Sequence, residues 1–298
     1  MAGSRGAPRL AYVAWMAICV IWGTTYLAIK IALETMPPLL IGGIRYLIAG
    51  SVLIAWLRLR GERLPPLTQW RPFIVLGFLM LMLGNGGVVW AEQYVPSGLT
   101  AVILATTPFW MVGIESLFPG GERVTLRHGI GLSVAFLGIL VLVGPDILLH
   151  GGGLSWSFLA GVLALQVACA GWSVGSSYGK RLGGGVPPMT TAALQMLWGG
   201  IWMTLGATVA GEWSALHFTA RSASAVLYLA FVGGLAGFGA YIYALAHLPM
   251  SLVSLYAYVN PIIAVALGSL VLGEPFNLRI ALAIVVILTG MAIVPNRH

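Results

Sequence analysis

A chain of 298 residues that is 59% hydrophobic and only 8% charged cannot clothe a soluble fold of its size, since a soluble chain carries about 25% charged residues. The two cysteines, Cys19 and Cys169, lie inside apolar runs, which excludes a disulfide framework or a metal finger, and the net charge of +7 is better explained by topology than by nucleic acid. The sequence reads as an integral membrane protein.

A hydrocarbon core of ~30 Å needs about 20 apolar residues per helix. In chain order such runs fall at 11–31, 39–57, 72–91, 97–118 and 128–145, then at 157–178, 188–210, 223–245, 250–272 and 277–295. The expectation is therefore an all-α membrane protein of ten transmembrane helices. Arg5 and Arg9 precede the first run, which is long enough to span rather than be removed as a signal. Connections are short, the longest at 58–71 and 211–222, so no soluble domain is expected between spans.

Orientation follows the basic residues. With a cytoplasmic N-terminus, Arg5, Arg9, Arg58, Arg60, Arg63, Arg71, Arg123, Arg127, Lys180, Arg181 and Arg297 fall inside. Only Lys30, Arg221 and Arg279 fall at the outer side, and Arg45 lies within the second span. Both termini are predicted to be cytoplasmic, with the protein in the cell (inner) membrane.

The chain also repeats itself. An offset of 150 aligns Cys19 with Cys169, Trp22 with Trp172, Lys30 with Lys180, Pro37-Pro38 with Pro187-Pro188 and Gly50 with Gly200. An offset of 153 aligns Pro96 with Pro249 and Pro108 with Pro261. Two repeats are expected, at 1–146 and 157–298, each with five helices. An odd number turns the second repeat over in the membrane, and inverted repeats are the mark of secondary transporters.

The stretch WGTTYLAIKIALETMPPLLIGGIRYLIAG (22–50), its counterpart WSVGSSYGKR (172–181), and the segments ATTPFWMVGIESLFPGGERV and AYVNPIIAVALGSLVLGEPF together resemble the EamA family of the drug/metabolite transporter superfamily. The resemblance covers about 11–295. It implies two inverted five-helix repeats around a central cavity, and the movement of small metabolites, often amino acids and often outward.

Polar groups at membrane depth tend to face the bundle interior and carry function. Trp22, Thr25 and Tyr26 in the first span are candidates, with Trp172 as the repeat partner of Trp22. Arg45 needs an anion: a substrate carboxylate would serve, but a fixed salt bridge to Glu34 or Glu92 is the favoured reading. Its repeat partner, Gln195, could contact a substrate without charge. In the fourth span Thr107 and Trp110 share a face beside Pro108, which frees the carbonyl four residues earlier. Tyr256, Tyr258 and Asn260 surround Pro261 in the ninth, and the two prolines are the predicted hinges. Asn85 and Trp90 in the third span, with Tyr241 and Tyr243 in the eighth, Tyr243 matching Trp90, complete the candidate substrate contacts.

Lys30 and Lys180 read as snorkelling anchors, and Glu115 as a snorkelling acid near a helix end. Gly233 and Gly237 read as a packing motif. The histidines lack metal spacing, and no H-E-x-x-H, G-x-S-x-G or P-loop is present, so neither an enzyme nor an ATPase is expected. A channel would want repeated charged or carbonyl rings, and none stands out. The expectation is a carrier, probing small molecules from a lipid surround, with no cofactor, no metal, no nucleic-acid partner and a monomeric state. Amino acids with apolar or aromatic side chains are the first expected cargo. Without an acid at the midplane, facilitated diffusion or exchange is expected rather than proton coupling.

Overall fold

The computed structural model describes residues 9–119, 155–182, 185–274 and 276–293, with scattered positions between 121 and 141. The span predicted at 128–145 therefore lies largely outside the described residues, as do Arg5, Arg123 and Arg297. The described residues are helical, with no strand among them.

In chain order the helices are α1 (Arg9–Ala32), α2 (Pro38–Leu59), α3 (Arg71–Ala91) and α4 (Ser97–Glu115), then α5 (Trp156–Arg181), α6 (Pro188–Val209), α7 (Ala220–His247), α8 (Met250–Leu272) and α9 (Leu278–Ala292). Among the described residues, seven are long and apolar enough to cross a membrane. α6 matches the 22 residues of α2 but falls outside those seven, because Thr190, Thr191, Gln195 and its glycines dilute its apolar content. α9 is a shorter apolar helix.

Proline sets several helix starts. Pro38 and Pro188 occupy the first turns of α2 and α6, where a missing N–H is harmless and the fixed φ suits a helix. Two helices contain wide, π-wound stretches of ten residues, Gly77–Gly86 in α3 and Leu229–Phe238 in α7. Two others are broken near the middle or start: α4 between Leu104 and Thr107, α8 at Leu255. Bends of this kind need neighbours to take up the freed backbone groups. In α4 the Thr107 hydroxyl donates to the Leu104 carbonyl at 2.5 Å, the one that Pro108 cannot serve.

The tightest seam joins α2 to α6, which run antiparallel through small residues. Gly43 lies against Thr204, Gly42 against Met203, Gly50 against the backbone of Leu197 and Gly200 against that of Leu47. α1 packs on α7 and α8, and α5 on α3 and α4. Glycine again permits the approach: Gly23 meets Ile263, Gly233 meets Thr25, and Gly175 meets Met80.

Polar clasps fasten the helix ends. Gly211 and Gly273 have φ of 70° and 64°, the left-handed turn that glycine tolerates, and each delivers the following glutamate to another helix. Glu212 accepts from Leu39 N at 3.3 Å and Leu40 N at 3.0 Å, over the first turn of α2. Glu274 accepts from Ser97 N at 2.8 Å, Ser97 Oγ at 2.9 Å and Gly98 N at 3.1 Å, over the first turn of α4. Each places an acid where unpaired N–H groups and the helix dipole favour it. Lys30 is not a free anchor. Its Nζ donates to the Glu92 carbonyl at 2.5 Å and to that of Val95 at 3.3 Å, past the end of α3. Glu115 does not snorkel either: it is buried in a two-pronged pair with Arg181, both contacts 2.8 Å.

Candidate central cavity

Between α1, α2, α3, α4, α5, α7 and α8 lies a cavity of about 720 Å³, its mouth included.

Its floor is aromatic. Trp22 and Trp172, which match in the repeat alignment, meet edge to face with ring centroids 5.4 Å apart. Tyr256 packs against Trp22 at 5.0 Å, and Tyr241 against Trp172 at 5.0 Å. Small residues make room for the indoles: Gly237 under Trp22 and Gly84 beside Trp172. Both indole N–H groups are already used. Trp22 Nε1 donates to the Gly233 carbonyl at 3.1 Å, and Trp172 Nε1 to the Tyr241 hydroxyl at 3.1 Å. The floor thus offers apolar ring surface rather than free donors.

The polar wall is carried by α2 and α3. Arg45 is only 3% exposed, yet lines the cavity. Its Nη2 donates to Asn85 Oδ1 at 2.6 Å and to the Tyr46 hydroxyl at 2.9 Å, while the guanidinium carbon sits 4.4 Å from the Tyr46 ring centre. Its Nε is buried without a partner.

The salt bridge expected for Arg45 does not form. Glu34 pairs instead with Arg221 at 3.0 Å. Glu92 is fully buried just past α3, with neither carboxylate oxygen hydrogen-bonded. Thr25 and Tyr26 line the cavity from α1 and Thr107 from α4. Thr107 Oγ1 also lies 3.4 Å from the Cys169 sulfur. Asn260, buried behind the lining, donates through its amide nitrogen to the carbonyls of Cys19 at 3.0 Å and Tyr256 at 3.1 Å. The pairs Thr107–Cys169 and Asn260–Cys19 are counterparts under the repeat alignment.

Other predicted contacts lie elsewhere. Trp90 packs edge to face on Tyr94 at 5.2 Å. Trp110 is 37% exposed, its Nε1 donating to Gln166 Oε1 at 3.1 Å. Gln195 is buried between α6 and α3, its Nε2 3.0 Å from the Met80 sulfur. Tyr243 stacks on His247 at 4.3 Å and borders a separate apolar cleft with Leu10, Trp56 and Met189. The side chain of Tyr258 lies outside the described residues. Pro108 and Pro261 lie in the two broken helices, with Pro261 inside the second segment of α8. Sequence reasoning missed Tyr46 and Cys169 in the lining; the alignment of Cys19 with Cys169 was the one signal for the second of these.

The chain matches the model of the EamA-like transporter family in two stretches, residues 9–144 and 159–295. It is 36% identical to the uncharacterized inner membrane transporter YedA of Escherichia coli (strain K12) over 282 residues, 94% of this chain and 89% of that one. A probable amino-acid metabolite efflux pump of the same strain is 24% identical, with 93% and 92% covered. A solved crystal structure superposes with a TM-score of 0.71 at 22% identity, over 95% of each chain, a likeness of fold alone.

Proposed function

We propose a cargo, a direction and a mechanism for this chain, which belongs to the EamA-like transporter family and is a multi-pass membrane transporter. It exports small amphipathic metabolites, first among them amino acids with apolar or aromatic side chains, across the inner membrane. The observation that carries this reading is the cavity itself, with a ring-lined floor at Trp22 and Trp172 and one charged wall at Arg45.

The mechanism we propose is alternating access between two inverted five-helix repeats, 1–146 and 157–298, ten helices in all with both termini cytoplasmic. The antiparallel α2–α6 seam and the two-part family match support it. Related halves in opposite orientation can exchange conformations, so that the cavity opens first to one side and then to the other. Pro108 and Pro261 are the proposed hinges. The carrier works as a monomer by facilitated diffusion or exchange.

The test is uptake of labelled phenylalanine and leucine into proteoliposomes holding the purified protein, with and without a pH gradient. Saturable flux, impaired by Trp22→Ala and by Asn260→Ala, is expected. Flux that needs the gradient and disappears in Glu92→Gln would overturn facilitated diffusion. Absence of flux in folded, reconstituted protein would remove the amino-acid reading.

A further inference from the structure

Among the described residues that line the cavity, Arg45 is the one permanent cation, and none is a carboxylate. The nearest acids are otherwise placed. Glu274 is held over the first turn of α4 by Ser97 and Gly98, and Glu92 lies one helical turn beyond Val88, which is itself in the wall. A guanidinium this deeply buried, with its Nε unpartnered and only neutral oxygens on Nη2, lacks the anion that a low-dielectric site demands. The arrangement holds it in place without pairing it: Asn85 and Tyr46 take both Nη2 hydrogens, and no carboxylate hydrogen-bonds to the guanidinium. With Nε sealed off, Nη1 is the donor left for a carboxylate, in a charge-assisted hydrogen bond that the low dielectric strengthens.

The opposite requirement is not met. An ammonium group in the cavity would find ring faces, hydroxyls and carbonyls but no fixed negative charge, and it would share the space with Arg45. From the helix ends that lie together, Ala32 and Pro38, Arg45 is seven residues in and Trp22 ten, so the charge sits about 5 Å nearer that end than the aromatic floor.

We propose that Arg45 reads a substrate carboxylate, and that the site takes amphipathic monocarboxylates whether or not they carry an ammonium group, with the apolar portion on the Trp22–Trp172 floor. This rests on the transporter reading above and names which part of the cargo is recognised.

Three probes separate the groups: phenylalanine, 3-phenylpropionate, which lacks the ammonium, and 2-phenylethylamine, which lacks the carboxylate. Binding to purified protein in detergent is read by tryptophan fluorescence, and each probe then competes against phenylalanine counterflow in proteoliposomes. The two carboxylates are expected to bind alike, and the amine about tenfold or more weakly. Arg45→Gln is expected to lose affinity for both carboxylates by about tenfold or more, with Arg45→Lys between. Asn85→Asp guards against a folding defect in the arginine variants. It places an internal anion 2.6 Å from Nη2, where the amide oxygen now sits, so carboxylate affinity should fall in protein whose melting temperature is kept.

Equal binding of amine and carboxylates, or undiminished carboxylate affinity in folded Arg45→Gln and Asn85→Asp, would overturn the assignment while phenylalanine counterflow kept the transporter reading intact. No binding and no counterflow with any probe would overturn both the assignment and the amino-acid reading.

Discussion

Gly50 and Gly200 make the same contact from opposite sides. A methyl group added at Gly50 would lie 2.6 Å from Leu197 N, and one at Gly200 would lie 2.7 Å from Leu47 N. The sequence offset of 150 carries each contact onto the other, so α2 and α6 cross as two equivalent helices do around a two-fold axis. The obstruction in both cases is backbone, which has no rotamer through which to yield.

Gly50→Ala and Gly200→Ala should therefore destabilise the protein by similar amounts, about 1–3 kcal/mol each, as over-packing does elsewhere. Gly113→Ala is the control. A Cβ there meets nothing within 4 Å, so it should be neutral or slightly stabilising. Thermal unfolding in detergent compares the three, and a Gly50 variant as stable as the Gly113 variant would refute the seam.

The Glu115–Arg181 pair ties the last turns of α4 and α5, with the Arg181 guanidinium also 4.3 Å from the Phe118 ring centre. Glu115→Gln should cost about 1–2 kcal/mol, less than a fully buried pair because the Arg181 side chain is 29% exposed. Arg181→Lys should recover only part, since an ammonium cannot make both prongs. A double-mutant cycle in the same unfolding assay measures the coupling, and a coupling near zero would make the pair incidental.

Glu92 gives a pH dependence. Burial pushes its carboxyl well above the ordinary value of 4.5; Lys30 and Arg45 pull it down and Glu274 pushes it further up. With its affinity for the proton higher in the folded state, stability is fullest below the unfolded value and declines as pH rises toward the folded one. The melting temperature should accordingly fall as pH climbs above 4.5, and Glu92→Gln should flatten that fall. An identical slope in the variant would place the titration on another group.

Gly237 supports the cavity floor. A methyl group there would lie 2.6 Å from Trp22 Nε1 and 3.0 Å from its Cδ1, displacing the indole from its bond to the Gly233 carbonyl. Gly237→Ala should weaken substrate binding by about tenfold with the fold retained. Unchanged affinity, with the tryptophan emission also unchanged, would show that the floor yields elsewhere.

The membrane-length helices were legible because apolar runs need only composition, and Trp22, Thr25, Tyr26 and Thr107, which the structure brings to the cavity, lie on simple helical faces or repeat. The candidates that lie away from the cavity do so for a geometric reason. Trp90 and Tyr243 follow the π-wound stretches Gly77–Gly86 and Leu229–Phe238, where a wider turn rotates each later side chain away from the face that a period of 3.6 assigns. Gln195 inherits from Arg45 a place in the alignment but not its surroundings, because Met80 covers it. Which carbonyls Lys30 would reach, and which acid Arg45 would lack, depended on distances between helices far apart in sequence.

The two thiols of this chain are both interior, Cys19 at 5% exposure and Cys169 at 1%. For chemical labelling the native protein is thus close to a blank background, since a bulky, membrane-impermeant maleimide has no exposed sulfur to attack. A single engineered surface thiol would then report its own side of the bilayer without removal of the native ones. Arg60→Cys, after α2, should be shielded in intact cells and react once they are opened, whereas Ser214→Cys, after α6, should react from outside. The reverse pattern would turn the whole assembly over, and with it the direction in which the cavity's one charged wall faces the cell.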